Sequence, residues 1–149
     1  MIVDASALVA VMRDESDAAA FTDAMATASR LRISAVNFVE AAIVIDGARE
    51  PVASRRFDEF VKKMGIEVEA VTPDQAQIAR QAYRDFGKGS GHPAKLNLGD
   101  CFAYALAKTT GEALLFKGTD FIHIDVKRAL RPPGTLQEPP SPIYGELWD

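Results

Sequence analysis

The segment that most constrains the fold is an uncharged run over residues 101–107, Cys-Phe-Ala-Tyr-Ala-Leu-Ala, in which the Tyr104 hydroxyl is the only polar side-chain group. Such a run, apolar on nearly every side, predicts a helix that is buried on most of its faces. Gly111 ends this helix, and residues 113–116 predict a short buried strand directly after it. A buried helix followed directly by a short buried strand indicates an open α/β sheet.

Two acidic residues flank this helix and strand. Asp100 lies in the first turn of the helix, and Asp120 lies in a Gly-Thr-Asp turn beyond the strand. Open α/β sheets present ligands at the carboxyl ends of their strands, so both acids are candidates for a site. Asn97, three residues before Asp100, also suits a helix cap, which leaves a structural role for Asp100 open.

A third acid, Asp4, follows a first strand at residues 2–3 and precedes a helix over residues 5–12. Ser6 lies two positions further on. Asp4 therefore either caps that helix or faces the same edge of the sheet as the other acids.

The fourth acid, Glu40, lies within a helix that ends near Gly47. Three of its neighbours one turn away are apolar, namely Val36, Ile43 and Val44. A carboxylate in such surroundings is unfavourable unless it is paired, hydrogen-bonded or metal-bound. The alternative is a solvated position at the rim of the helix.

Length, net charge and residue composition limit the number of domains and the kinds of metal site that the chain can form. At 149 residues the chain is expected to form one domain, and its net charge of −4 argues against a generic basic nucleic-acid coat. Two histidines and one cysteine make a zinc site improbable, whereas hard cations on oxygen ligands remain possible. Four converging carboxylates would repel one another unless a cation such as Mg²⁺ or Mn²⁺ lay between them.

Such a site suits in-line cleavage of a phosphodiester. One ion lowers the pKa of an attacking water, and a second, brought with substrate, stabilises the leaving oxygen. The residues alone do not decide between one ion and two.

The sequence contains neither a membrane-spanning apolar run of roughly 20 residues nor a recognisable signal peptide, so we expect a cytoplasmic protein with no membrane partner. We further expect a domain over residues 1–131, with a last edge strand at 122–124, and a proline-rich tail over residues 132–149.

Two basic regions are candidates for contacts with an RNA backbone. Arg55 and Arg56 lie on a helix that begins near Pro51, and Lys88 and Lys95 lie in a glycine-rich segment before Asp100. The alternatives are a solvated helix face with local ion pairs and a flexible connector.

Four blocks of sequence resemble the acidic motifs of PIN-domain proteins, and more closely those of the VapC toxins of type II toxin–antitoxin systems. They are Met-Ile-Val-Asp-Ala-Ser at residues 1–6, Ile-Ser-Ala-Val-Asn-Phe-Val-Glu at 33–40, Leu-Asn-Leu-Gly-Asp-Cys at 96–101 and Leu-Leu-Phe-Lys-Gly-Thr-Asp at 114–120. The resemblance implies a three-layer α/β/α fold with a central parallel sheet of four or five short strands. It also implies a metal-dependent endoribonuclease that forms a homodimer and is neutralised by a VapB-type antitoxin.

By this resemblance Asp4 and Asp100 match the principal metal ligands. Glu40 matches the acid that binds or orients the metal and its water, and Asp120 matches the fourth acid.

Two hydroxyl-bearing residues also match positions close to the family's site. Ser6 matches a hydroxyl near the first acid, and Thr119 lies where some relatives carry a second acid.

Two other functions are compatible with the sequence. One is that of a catalytically inactive PIN-like binding module, and the other is that of a nuclease or phosphoesterase acting on a substrate other than RNA. A dinucleotide-binding enzyme is disfavoured because no Gly-x-Gly-x-x-Gly motif follows the first strand.

Overall fold

The computed structural model describes residues 1–130, which fold around a single sheet of parallel strands. The strands are β1 (Ile2–Val3), β2 (Leu31–Ser34), β3 (Ile66–Glu69) and β4 (Leu114–Leu115), in the order β3-β2-β1-β4. Ile2 of β1 lies beside Arg32 of β2 on one side and Leu114 of β4 on the other. Because the strands are parallel, their carboxyl ends all open at one edge of the sheet.

Helices connect the strands and cover both faces of the sheet. They are α1 (Ala5–Met12), α2 (Ala18–Thr27), α3 (Ala35–Asp46), α4 (Pro51–Met64), α5 (Pro73–Phe86) and α6 (Leu98–Thr110). Alternate strand residues enter two separate cores, Val3 and Leu115 packing with α1 to α4, and Ile2 and Leu114 packing with α5 and α6. The expected three-layer α/β/α architecture is thereby confirmed.

Helix α6 has the buried character that its sequence predicts. Residues 101–107 are buried except for the half-buried Phe102. Gly111 ends the helix in a left-handed conformation, with φ of 68°, which suits glycine. The strand that follows is shorter than expected, Leu114–Leu115, and is fully buried.

The prediction of a last strand at residues 122–124 is wrong. These residues form turns, in which the backbone N–H of Ile124 donates to the carbonyl of Phe121 at 3.5 Å. The Phe121 side chain is almost fully buried and anchors this segment to the core. The sheet edge beside β4 instead pairs through a single parallel bridge between Leu114 and Arg128.

The proline-rich segment expected over residues 132–149 lies outside the described residues. Within residues 1–130, no helix combines the length and the apolar character that crossing a bilayer requires.

Candidate active site

The fold places four carboxylates around the carboxyl edge of the sheet. Asp4 directly follows β1, Asp120 lies in the turn after the neighbouring strand β4, Asp100 lies in the first turn of α6, and Glu40 lies on α3, which follows β2. The negative charges of the other three acids each raise the pKa of Asp100. The four side chains thus share one electrostatic environment, although they come from four separate parts of the chain.

Asp4 divides its two carboxylate oxygens between two environments. Its Oδ2 caps α1 by accepting a hydrogen bond from the Ser6 backbone N–H at 3.0 Å. The same oxygen also accepts a short hydrogen bond from the Ser6 hydroxyl. Its Oδ1 is buried and has no hydrogen-bond partner among the described residues. Burial, supported by the charge of Glu40 and opposed by the Ser6 hydrogen bonds, raises the pKa of Asp4 to about 6.

Asp100 also uses one carboxylate oxygen in a helix cap, at the start of α6. Its Oδ2 accepts from the backbone N–H of Asn97 at 3.0 Å, while the Asn97 side chain accepts from the backbone N–H of Asp100 at 2.9 Å. This reciprocal arrangement is a capping box. Burial, followed by the charges of Asp4, Asp120 and Glu40, raises the pKa of Asp100 to about 7.

Glu40 is half-buried, and its surroundings differ from the expected apolar ones. Ile43 and Val39 are 65% and 52% exposed, because α3 turns this apolar side toward solvent. The Glu40 carboxylate instead accepts a hydrogen bond from the Asn37 amide at 3.3 Å and lies against Gly99 at the start of α6.

The Ser6 hydroxyl connects the first acid to the turn that carries the fourth. It accepts a hydrogen bond from the Lys117 backbone N–H at 3.0 Å, in the segment that leads to Thr119 and Asp120. The Lys117 ammonium forms ion pairs with Glu15 and Asp17, both in the connection between α1 and α2. Thr119 and Asp120 are themselves exposed.

The donor set fits a hard divalent cation. Among residues 1–130, no lysine or arginine forms an ion pair with any of the four acids. In the same part of the chain, no three acidic, histidine or cysteine side chains gather closely enough to bind one ion directly. Mg²⁺ commonly takes only one or two carboxylates and retains several waters, so this spacing suits it. The unpartnered Oδ1 of Asp4 is the clearest single ligand position.

Lys88 and Lys95 lie on a loop that is closed by backbone hydrogen bonds. The N–H of Lys88 donates to the carbonyl of Leu96 at 3.0 Å. Together with His92, the two lysines line a surface hollow. The Nδ1 atom of His92 accepts from the Ala94 N–H at 3.1 Å, so in the neutral ring Nε2 carries the proton.

Arg55 and Arg56 lie on α4, in the layer on the other face of the sheet from α5 and α6. The guanidinium of Arg56 pairs with Asp14 at 3.0 Å and donates to the carbonyl of Met12. An RNA strand that contacted both basic regions would have to pass around an edge of the sheet.

Two residues at the site were not among the sequence candidates. Asn37 contacts the Glu40 carboxylate, and Gly99 makes room for it. The signals present in the sequence were a carboxamide one turn before Glu40 in an otherwise apolar helix, and a glycine directly before Asp100.

Comparison with known proteins identifies the family of the chain. The family model of the PIN domain matches residues 1–127. The chain is 55% identical over 130 residues to ribonuclease VapC28 of Mycobacterium tuberculosis, covering 87% of this chain and 98% of the relative. It is 50% identical over 129 residues to ribonuclease VapC42 of the same species, with the same two coverages.

Solved structures share the fold at much lower sequence identity. The crystal structure of M. tuberculosis VapC20, described as a toxin that cleaves the sarcin–ricin loop, superposes with a TM-score of 0.67 at 16% identity. That match covers 88% of this chain and 98% of the solved chain. A toxin–antitoxin complex from Klebsiella pneumoniae gives a TM-score of 0.64 at 18% identity, covering 83% and 91%. The chain therefore belongs to the PIN domain family and groups, by sequence, with its VapC ribonucleases.

Proposed function

We propose that the protein is a metal-dependent endoribonuclease toxin of a toxin–antitoxin pair. In the reaction, water attacks the phosphorus of an RNA phosphodiester and the 3′-oxygen leaves. The similarity to VapC ribonucleases supports the substrate class. The observation that supports this chemistry is the acidic carboxyl edge of the sheet, where the buried Oδ1 atom of Asp4 lacks any partner among the described residues.

We assign Asp4, Asp100, Glu40 and Asp120 to a Mg²⁺ site in which one or two of the carboxylates bind the ion directly and the others act through its waters, with Mn²⁺ as an alternative ion. A divalent cation, when bound, lowers the pKa of water and stabilises charge that develops on the phosphate. Asp4 and Asp100 each use Oδ2 in a helix cap, which fixes the carboxylate plane and leaves Oδ1 for the ion. Displacement of protons from these two acids accompanies cation binding, because both have raised pKa values.

Contacts with the RNA backbone are assigned first to Lys88 and Lys95. Both lysines are exposed, and the chain runs from their loop directly into the Asn97 cap of α6. Arg55 and Arg56 are assigned a secondary role, since the charge of Arg56 is already compensated by Asp14.

We also propose two protein partners, a VapB-type antitoxin and a second copy of this chain. The solved toxin–antitoxin complex with the same fold supports the first. For the second, the exposed apolar side chains Val39 and Ile43, one turn apart on α3, provide a surface that self-association would cover. Its RNA substrate would place the toxin in the cytoplasm.

The function is tested by incubating the wild-type protein and an Asp100→Asn variant with single-stranded RNA and Mg²⁺. We expect cleavage by the wild type and none by the variant, and chelation of the cation should stop the wild-type reaction. Asp23→Asn, which neutralises an exposed acid on α2, is the matched control and should cleave normally.

Other outcomes identify the rival functions. Equal cleavage by both proteins would remove Asp100 from the mechanism. RNA binding without cleavage would indicate a binding module, and preferential cleavage of duplex DNA or of a small phosphoester would indicate another substrate.

A further inference from the structure

Gly99, the second residue of α6, lies against the Glu40 carboxylate. A Cβ atom placed on Gly99 would lie 2.6 Å from both Cδ and Oε1 of Glu40 and closer still to Oε2. Real Cβ atoms essentially never approach other heavy atoms within 3.0 Å. Any other residue at position 99 would therefore displace the carboxylate.

The backbone conformation does not explain this glycine. Gly99 belongs to a regular α-helix and is not among the residues with positive φ. Glycine is one of the least favourable residues within a helix, so its presence needs another reason. The three nearest atoms to the absent Cβ all belong to Glu40, which supplies that reason.

Asn37 fixes the same carboxylate from the side of α3. Its side chain is fully buried, and Nδ2 donates to the Gly99 carbonyl at 2.9 Å and to Oε1 of Glu40 at 3.3 Å. One carboxamide thus joins two helices that are about 60 residues apart in the chain. The Oδ1 atom of Asn37 is buried without a partner among the described residues, which is unfavourable for folding, so stability alone does not account for an asparagine at this position.

The first turn of α6 is also a favourable place for a negative charge. Unpaired backbone N–H groups give a helix N-terminus a partial positive charge. Within residues 1–130, Asn37 is the only side chain that donates a hydrogen bond to Glu40. The position of the carboxylate therefore depends on Asn37 and on the open space at Gly99, which together we call the Glu40 seat.

We propose that Asn37 and Gly99 are positioning residues, which hold Glu40 beside Asp4 and Asp100 so that it contributes to cation binding. This inference deepens the proposed function and rests on it for the identity of the ion. The seat itself is a property of the cation-free protein, so the two can be tested separately.

Gly99→Ala separates positioning from folding. The conflict it creates is with the flexible end of one side chain, which can move, and alanine favours the helix. We expect a melting temperature equal to or above that of the wild type, and Mn²⁺ affinity, measured by titration calorimetry, about 10- to 100-fold weaker, as is typical for residues that orient metal ligands.

A double-mutant cycle with Glu40→Ala tests whether the effect passes through the carboxylate. Once Glu40 is truncated, Gly99→Ala should leave Mn²⁺ affinity unchanged. An equal loss in both backgrounds, or no loss in either, would overturn the inference. Asn37→Leu, which is close to asparagine in size and removes the donor without adding a charge, should weaken Mn²⁺ binding in the same direction.

A second measurement keeps the inference falsifiable if the wild type binds no Mn²⁺, an outcome that would refute the proposed function. The side-chain carboxyl ¹³C resonance of Glu40 in the cation-free protein should shift in Gly99→Ala and in Asn37→Leu. An unchanged resonance in both variants would show that the seat does not hold the carboxylate, whatever the protein binds.

Discussion

The two ends of the sheet handle charge in opposite ways. Near the amino ends of the strands, Arg32 donates to Glu112, and Arg30 pairs with Glu67 at 2.7 Å. At the carboxyl edge, the charges of Asp4, Glu40 and Asp120 raise the pKa of Asp100. None of these four acids forms an ion pair with a lysine or arginine among residues 1–130.

This difference in pairing distinguishes charged residues that stabilise the fold from charged residues that could bind a ligand. Paired ions at the amino end neutralise one another within the protein. Buried acids without a counter-ion are unfavourable for folding, and a bound cation would compensate them. This contrast, more than the number of acids, is what points to a site at the carboxyl edge.

The largest expected effect is at Asp4. Asp4→Asn should lower the rate of RNA cleavage by more than about 100-fold, the scale seen when a transition-state charge loses one stabilising group. The same variant should raise the stability of the cation-free protein at pH 7.5, because asparagine also caps helices and brings no buried charge. Cleavage assays and urea denaturation check the two effects. A variant that is both active and less stable would contradict the claim that the acids at the carboxyl edge serve cation binding at the expense of stability.

A smaller effect is expected at Arg32, where a substitution should lower stability and leave cleavage unchanged. Its side chain is 17% exposed and that of Glu112 is 25% exposed, so the pair is largely shielded from water. Arg32→Met should cost about 1–3 kcal/mol of unfolding free energy, as expected when hydrogen bonds to a charged group are removed. Cleavage per folded molecule should not change. A loss of activity without a loss of stability would mean that the amino end also serves function.

The smallest effect concerns Lys95, which lies in neither charge cluster. Lys95→Glu should weaken RNA binding and lower the slope of log affinity against log salt by about 0.7 for each phosphate that the lysine neutralises in the wild type. Lys127→Glu, at an exposed lysine whose ammonium donates to the Gly111 carbonyl before β4, is the matched control. Filter binding at several salt concentrations measures both, and equal slopes for the two variants would show that Lys95 does not bind the RNA backbone.

Much of the fold could be predicted because its signals are local. The apolar run of α6, the Gly111 stop and the Asn97–Asp100 cap all appear in the structure as the sequence indicates. For Asp4 and Asp100 the structural alternative, a helix cap, is present, and because it uses only Oδ2 of each carboxylate it is compatible with the proposed role in cation binding.

The features that could not be predicted depend on tertiary contacts. Ile122 and Ile124 alternate as in a strand, but burial of Phe121 ties the segment to the core, and it turns instead. The contact between Glu40 and Gly99 joins helices from opposite layers, which no local pattern encodes.

The central claim, that the carboxyl-edge acids await a divalent cation, is tested most directly by unfolding free energy measured from pH 5 to pH 8 with and without Mg²⁺. In the folded, cation-free protein Asp4 and Asp100 have pKa values of about 6 and about 7, above the ordinary value of 3.8, so the folded state binds more protons than the unfolded state in this range. Stability without Mg²⁺ should therefore fall as pH rises through both values, and Mg²⁺ should reverse the fall most strongly above pH 7. Stability that rises with pH, or that does not respond to Mg²⁺ at pH 8, would contradict the account.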